Sequence, residues 1–497
     1  MKTLGNLALA THPLEIVGDP DTPVQGIQYD SRLIEPGDMF VALRGSYVDG
    51  HRFIEDAISR GAGSIASEES HPLIPGLRFE NTRQSLPVLA EAVFDRPADS
   101  MQGIVGITGT DGKTTTSYFA NAILQAGGKT TGLVGTVSVE IGGTVVEHET
   151  RQTTPESLDI QHHLARMRDA AVDWAILEST SHGLAANRLD RIPFTIGAVT
   201  NITHEHLDFH GTLDAYRLAK ASLLERVGAR SGWAVVNVDD PGARSVIDYA
   251  GGATVLRFSR TGRDAEIQAR DVYSSNNGSS FLLSTPIGSA EVSIPYIGEF
   301  NVENALCAAG IGVAAGVPLS AIAAGLQNAP PVPGRMVRVD AGQPFDVIVD
   351  YAHTPESLEK ILKLLRRLSP GGSIICVSGS AGERDVAKRL VQGTVTANFA
   401  DFNVYSTEDP RFEDAAAIID EVAQGAVAAG AIEGEDFLCI VDRQQALDQA
   451  VSMAQAGDVV LLAGKGHERS IIWGDTKHPW DEITAARASL ARAGWRR

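Results

Sequence analysis

The run Thr108-Gly109-Thr110-Asp111-Gly112-Lys113-Thr114-Thr115-Thr116 carries the residue types that grip a polyphosphate. Glycines let backbone N–H groups close around phosphate oxygens, Lys113 supplies a point charge, and Thr114 offers a hydroxyl to Mg²⁺. A strand-like apolar stretch at 103–107 precedes the run and a helix-like one follows, the context such a loop needs. The spacing departs from G-x-x-x-x-G-K-[ST], because Ile107 stands in the place of the first glycine. A ligand-free Gly-rich turn is the weaker reading of Gly-Lys-Thr-Thr-Thr here. ATP is the expected nucleotide.

Glu178 closes a second apolar run, 174–177, and Thr180-Ser181-His182-Gly183 follows it. Its carboxylate either caps the next helix or ligates Mg²⁺. Downstream, residues 200–210 mix oxygen ligands with His204, His206 and His210. Oxygens suit Mg²⁺, whereas clustered imidazoles suit zinc. The spacing is near the His-x-His-x-Asp-His pattern of metallo-hydrolases. Phe209, however, replaces the Asp-adjacent histidine, and a phosphate loop is foreign to those enzymes. Residues 213–227 have helical period: Leu213, Tyr216, Leu223 and Val227 make one apolar stripe, and Lys220 falls on it. A buried amine disfavours its ammonium form, so the Lys220 pKa should fall. Beside Mg²⁺ a neutral amine can react with CO₂ to give a carbamate, an anionic oxygen ligand. The alternative is a long stem that snorkels to solvent.

The elements that must position these groups alternate short apolar runs with helical patterns, which predicts parallel α/β sheets. The clearest strands are 174–177, 195–199, 346–349, 374–377 and 459–462. Glu178, residues 201–210, Asp350, 379–384, 408–411 and 464–468 follow such runs, at the carboxyl ends where open α/β sheets bind ligands. A cleft between the middle and last blocks is the economical expectation. Asp95-Arg96-Pro97-Ala98-Asp99 and the Pro-rich 328–334 mark seams. They predict domains at 1–98, 99–332 and 333–497. In the first block, 26–29 and 38–43 read as short strands and 53–60 as a helix.

At 497 residues the chain exceeds one hydrophobic core. A net charge of −20 argues against a nucleic-acid surface, which needs a basic stripe. Three scattered cysteines (Cys307, Cys376, Cys439) imply neither a disulfide framework nor a thiolate metal site. Neither a signal peptide nor a membrane-spanning run is legible, so a soluble, cytoplasmic protein is expected.

Taken together, the motifs resemble the Mur ligase family, the ATP-dependent amino-acid ligases of peptidoglycan synthesis. The supporting stretches are Asp30-Ser31-Arg32, Pro36-Gly37-Asp38, Phe40-Val41-Ala42, residues 109–116, Thr153-Thr154-Pro155 and Ser181-His182-Gly183. Further on come His206-Leu207-Asp208 with Lys220, residues 300–304, Pro333-Gly334-Arg335-Met336, residues 350–355 and Gly464-Lys465-Gly466-His467-Glu468. The likeness is to the branch that adds a third residue, a diamino acid, to UDP-N-acetylmuramoyl-L-alanyl-D-glutamate. It implies an α/β protein of three domains: a small α/β UDP-sugar-binding N-terminal domain, a central P-loop-type ATPase domain with a mostly parallel sheet, and a Rossmann-like C-terminal amino-acid-binding domain.

The resemblance also implies roles. Ser31, Ser46, Tyr47 and Val48 would lie at the uridine-diphosphate site, and Thr153, Thr154, Thr180 and Arg188 would hold the muramoyl dipeptide. Gly109, Thr110, Asp111, Gly112, Lys113, Thr114 and Thr115 would bind ATP phosphates, with Asn304 near adenine and Arg335 and Asp350 near ribose and phosphate. Thr114 and Glu178 would serve one Mg²⁺, and His206 and carbamylated Lys220 another. Arg384, Glu408, Asp409, Pro410, Arg411, Gly464 and Glu468 would contact the incoming amino acid. The carboxylate would attack the ATP γ-phosphate, and the amine would then displace phosphate from the acyl phosphate. A closed cleft, hinged near Pro330 to Pro333, would keep water out. A monomer is expected.

One stretch departs from the family at two positions. Its diaminopimelate enzymes carry Asp-Asn-Pro-Arg where this chain has Glu408-Asp409-Pro410-Arg411. Arg411 suits a bidentate pair with the distal carboxylate of meso-diaminopimelate. Asp409 instead suits the distal amine of lysine or ornithine. With Arg384, Gly464 and Glu468 present, meso-diaminopimelate is slightly favoured. Two other readings stand beside the ligase: a folylpolyglutamate-synthetase-like enzyme, against which Asp30-Ser31-Arg32 argues, and a catalytically silent nucleotide-binding scaffold.

Overall fold

Strand Gly103–Thr108 is buried at every position and lies in a parallel array between Trp174–Glu178 and Ile196–Val199. Register places Ile107 beside Glu178 and Thr108 beside Val199. Thr131–Val134 flanks the first neighbour, and Trp233–Asn237 and Thr254–Ser259 continue the parallel array beyond the second. The hairpin of Val139–Ile141 and Thr144–Val146 adds an antiparallel edge. Chain order therefore steps to opposite sides of Gly103–Thr108, and the loop after it opens at a switch point of the sheet.

The structure is a computed structural model that describes residues 2–45, 48–72, 74–146, 152–203, 205–275 and 278–496. Expected site residues Ser46 and Tyr47, and His204 of the metal-like pattern, lie outside the described residues. The chain forms two compact units. One comprises Met1–Val272, Phe281–Val292 and Val302–Ala329; the other comprises Tyr273–Ser280, Ser293–Asn301 and Pro330–Arg497.

In the first unit, helix Lys113–Ala126 leaves the phosphate-type loop directly. Helix Leu213–Gly228 starts on Thr212, whose hydroxyl accepts the Ala215 N–H at 3.1 Å, a cap that satisfies one orphan donor. Tyr216, Lys220, Leu223, Leu224 and Val227 recur at helical spacing on its buried face. Burying each of the leucines contributes on the order of 1.5–3 kcal/mol, against which the Lys220 amine must be desolvated. The first block adds a five-stranded sheet ordered Glu15–Val17, Gly76–Arg78, Ser64–Ser67, Met39–Val41, Ile27–Gln28. Helix Ile54–Ser59 falls within the expected 53–60.

The second unit is built on a six-stranded sheet ordered Val337–Arg338, Asp346–Asp350, Val459–Ala463, Ile374–Ser378, Phe402–Ser406, Phe437–Ile440. All neighbours are parallel except the first pair. Helix Pro355–Leu368 begins with a capping box between Thr354 and Ser357 and with Pro355 in its first turn, where a missing N–H costs nothing. Asp350, Gly379, Thr407 and Gly464 thus leave the sheet at its carboxyl ends. Among the described residues all three cysteines are free thiols, and no helix is long and apolar enough to cross a membrane.

Candidate active site

The loop after Gly103–Thr108 is held by three hydrogen bonds to the adjacent residues Thr200 and Asn201. Asn201 accepts twice: its backbone oxygen takes the Thr110 N–H at 2.9 Å, and its side-chain oxygen takes the Asp111 N–H at 2.9 Å. The Thr200 hydroxyl donates to the Asp111 carbonyl at 2.6 Å. Gly109 and Gly112 both have positive φ, 155° and 84°. A Cβ on Gly109 would lie 1.8 Å from Thr200 Oγ1, and one on Gly112 would lie 2.3 Å from Asn304 Oδ1. Only glycine fits either place.

Lys113 Nζ folds back to the carbonyls of Gly109 (2.8 Å) and Thr110 (2.9 Å). Lys220 Nζ, 1% exposed, donates to the same Gly109 carbonyl at 2.7 Å and sits 4.5 Å from the Tyr216 ring centroid. Burial, then the charge of Lys113, pushes the Lys220 amine well below the usual lysine range. The snorkelling alternative is excluded by this burial.

Glu178 arrives from the neighbouring strand, because its register beside Ile107 aims it at the start of the helix. Its Oε2 accepts from Thr114 Oγ1 at 3.0 Å and from Thr136 Oγ1 at 2.8 Å; its Oε1 accepts the Thr136 N–H at 3.1 Å. Thr136 is a site residue that the sequence reading missed. Its only signal is its place just past the strand Thr131–Val134. Thr136 Oγ1 also pairs with Thr153 Oγ1 at 2.9 Å, and Thr154 Oγ1 donates to the Glu178 carbonyl at 2.7 Å. Thr180 and Arg188 both bind Thr154, through its hydroxyl and its carbonyl, and Arg188 pairs with Glu156 at 3.0 Å. The four expected dipeptide residues are therefore continuous with the loop through hydrogen bonds.

His206 has a left-handed backbone (φ 55°) and is exposed. Its Nε2 is 3.5 Å from Glu205 Oε2, and its ring packs edge-on to His182 at 4.6 Å between centroids. His210 contacts His182 and Tyr216 ring to ring. Among the described residues no three His, Cys, Asp or Glu side chains converge on a metal-sized site. Hard oxygens of Glu178 and Thr114, side by side, do suit Mg²⁺, which keeps waters and phosphate oxygens and needs few protein ligands.

Of the remaining expected residues in this unit, Ser31 is buried in the short helix Ser31–Leu33, capped by Asp30, while Val48 is exposed. Asn304 is buried, and its Oδ1 accepts from Thr116 Oγ1 at 3.4 Å.

Asp350 and Arg335 belong to the second unit. Asp350 accepts the N–H groups of Met336 (2.8 Å) and Ala352 (2.7 Å), and Arg335 lies 4.8 Å over the Tyr351 ring. At the other strand ends of this unit, Glu408, Asp409, Gly464 and Glu468 come together. Gly464 has φ 100°, and a Cβ there would lie 3.1 Å from Glu408 Oε2. Burial raises the pKa of both Glu408 and Glu468. Pro410 is buried and Arg411 half-buried with a left-handed backbone, whereas Arg384 is exposed in its loop. Behind them Arg443, fully buried, pairs with buried Glu482 at 2.7 Å and donates to the carbonyls of Thr407 (3.1 Å) and Ala463 (2.8 Å). It fastens together the strand ends that carry Glu408 and Gly464. No motif announced this residue.

Comparison with known proteins now defines the class. The Mur ligase family catalytic domain matches residues 23–98, the Mur ligase middle domain 107–312, and the Mur ligase glutamate ligase domain 334–466. The UDP-N-acetylmuramyl-tripeptide synthetase of Roseiflexus sp. (strain RS-1) is 45% identical, with 95% of each chain covered. The UDP-N-acetylmuramoyl-L-alanyl-D-glutamate–2,6-diaminopimelate ligase of Bacillus cereus is 35% identical over 98% of both chains. A solved structure of such a diaminopimelate ligase aligns with TM-score 0.67 and 29% identity, covering 99% of this chain and 100% of that one. The chain belongs to the Mur ligase family and is an ATP-dependent, amide-bond-forming ligase.

Proposed function

We propose that the protein joins a diamino acid to UDP-N-acetylmuramoyl-L-alanyl-D-glutamate in peptidoglycan precursor synthesis, with meso-diaminopimelate favoured over L-lysine or L-ornithine. The observation that carries this reading is the hydrogen-bond chain from Thr114 through Glu178 and Thr136 to Thr153. It couples the residues proposed for ATP phosphates to those proposed for the acyl substrate. The full-length similarity to named tripeptide synthetases and diaminopimelate ligases supports the same substrates. Domains at 1–98, 99–332 and 333–497 would then bind the UDP-sugar, ATP and the amino acid.

In this reading the loop amides of 109–115 bind ATP phosphates. Lys113 leaves its carbonyl partners to place a positive charge where the substrate carboxylate and the γ-phosphate, both anionic, must meet. The carboxylate oxygen bonds to phosphorus, the bond to the ADP oxygen breaks, and an acyl phosphate results. Thr153, Thr154, Thr180 and Arg188 orient the muramoyl dipeptide for that attack. The neutral amine of the diamino acid then bonds to the acyl carbon, phosphate departs with its oxygen, and the amine's proton passes to solvent or phosphate. Glu178 with Thr114 would hold one Mg²⁺, and His206 with a carbamate on Lys220 a second; bound there, Mg²⁺ supplies positive charge against the repulsion of the reacting anions. Burial of Lys220 supports the carbamate, since the neutral amine is the form that reacts with CO₂. A cytoplasmic monomer fits these soluble substrates.

The decisive experiment supplies ATP, Mg²⁺ and the UDP-muramoyl dipeptide, offers the three diamino acids in competition, and weighs the product. Phosphate release only with dipeptide and diamino acid together is the expected result. Equal turnover of a folate-glutamate acceptor would move the assignment to that enzyme class, and nucleotide binding without turnover would point to a scaffold.

A further inference from the structure

The loop 408–411 carries two adjacent carboxylates, and the fold treats them differently. Asp409 is 6% exposed; its Oδ1 accepts from Lys465 Nζ at 2.8 Å and from the Ile472 N–H at 3.0 Å. Lys465 is fully buried and donates a second hydrogen bond to Glu468 Oε2 at 2.5 Å. Glu408, also buried, has an Oε2 without a hydrogen-bond partner among the described residues, and so has the Nε of Arg411. Asp409 is thus ion-paired and hydrogen-bonded within the protein, whereas Glu408 Oε2, on which Lys388, Lys465 and Arg443 act only through space, and Arg411 Nε keep an unused hydrogen-bonding position. Lys465 also ties three segments into one body: the 408–411 loop, the 464–468 turn and, through Asp409, the strand Ser470–Trp473. Arg411 joins that strand too, donating its N–H to the Ile472 carbonyl at 3.0 Å.

We propose that Lys465 is a positioning residue that pairs with both Asp409 and Glu468 and so removes Asp409 from recognition of the diamino acid. Selectivity between a distal ammonium alone and a distal ammonium with a carboxylate then falls on Glu408 and Arg411. This inference rests on the assignment of the cluster to the amino acid under the proposed function. It reverses the reading that Asp409 favours a plain diamine.

The test uses the full-length enzyme with ATP, Mg²⁺ and the UDP-muramoyl dipeptide, and compares kcat/KM for meso-diaminopimelate, L-lysine and L-ornithine. Asp409→Asn keeps size and hydrogen-bonding capacity, so it should shift the ratios by less than about threefold; a larger shift shows that Asp409 reads the substrate and overturns the proposal. Lys465→Met leaves buried carboxylates uncompensated and should raise the KM for the amino acid at least about tenfold, with the KM for ATP within about twofold. The double variant Asp409→Asn/Lys465→Met restores the net charge of the cluster and should recover at least about fivefold of that loss. An unchanged amino-acid KM in Lys465→Met, or no recovery in the double variant, overturns the positioning role. Should Lys465→Met fail to fold, the Asp409→Asn ratios still decide. Wild-type enzyme that turns over none of the three amino acids sinks the function itself, and the inference with it. Wild-type turnover with altered Asp409→Asn ratios sinks only the inference.

Discussion

Lys113 and Lys220 donate to one acceptor, the carbonyl oxygen of Gly109, at 2.8 and 2.7 Å. Two ammonium groups on one oxygen, one of them fully buried, repel each other, and the burial of Lys220 directs the loss of charge to that side. Lys113 is only partly buried at the start of its helix, whereas Lys220 lies on the buried face of its own. Their shared partner therefore sets beside Lys113 an amine whose ammonium form burial disfavours.

Replacing Lys220 by alanine removes that amine and the oxygen ligand it would become. Activity should fall about a hundredfold or more, since groups that stabilise developing charge are worth that much. Short carboxylic acids added to the assay should restore part of it. Full activity in the unrescued variant would dispose of the carbamate.

Thr136→Val tests the hydrogen-bond chain. Glu178 would lose a hydroxyl donor at 2.8 Å. Hydrogen bonds to charged groups contribute roughly 1.5–3 kcal/mol, so kcat/KM should drop about 10- to 100-fold and the Mg²⁺ requirement should rise. A Mg²⁺ titration of the variant checks both, and wild-type values would remove Thr136 from the site.

Gly109→Ala tests the loop conformation. The added Cβ meets Thr200 Oγ1 in a backbone region that alanine avoids. A strain on the order of 1–3 kcal/mol should lower Tm and weaken ADP binding, read by calorimetry. Unaltered nucleotide affinity would mean that the phosphates bind elsewhere.

Glu408 predicts a pH signature. Burial raises its folded pKa above the unfolded value, so its protonated form contributes stability below the ordinary carboxyl range that is lost as pH rises through the folded pKa. Glu408→Gln lacks this loss. The Tm of the variant should therefore gain on wild type as pH climbs from about 4 towards neutrality, and the gap should then stay level. A gap that shrinks over that interval contradicts the buried-carboxyl account.

Arg443 should matter more for folding than for chemistry. Removing one partner of a buried ion pair costs about 3–5 kcal/mol, so Arg443→Met should lower the denaturation midpoint by a corresponding amount. Glu482→Gln should do so less, because the amide still accepts. Equal stability of Arg443→Met and wild type would show that the pair with Glu482 is dispensable.

The glycine-lysine-threonine loop, the stripe that buries Lys220 and the strand ends at Glu178, Asp350, Glu408 and Gly464 were all legible in the chain itself. Each is a local matter: left-handed glycines, a period of three to four residues, or a run of apolar side chains ending in a polar one. Thr136 beside Glu178 is different, since 42 residues separate them and only the order of strands brings them together. So is the partner of Asp409, which lies 56 residues away. Composition shows that a carboxylate is present, but solvent exclusion and the nearest opposite charge decide whether it reads a ligand or braces a loop, and both arise only when the sheet is assembled.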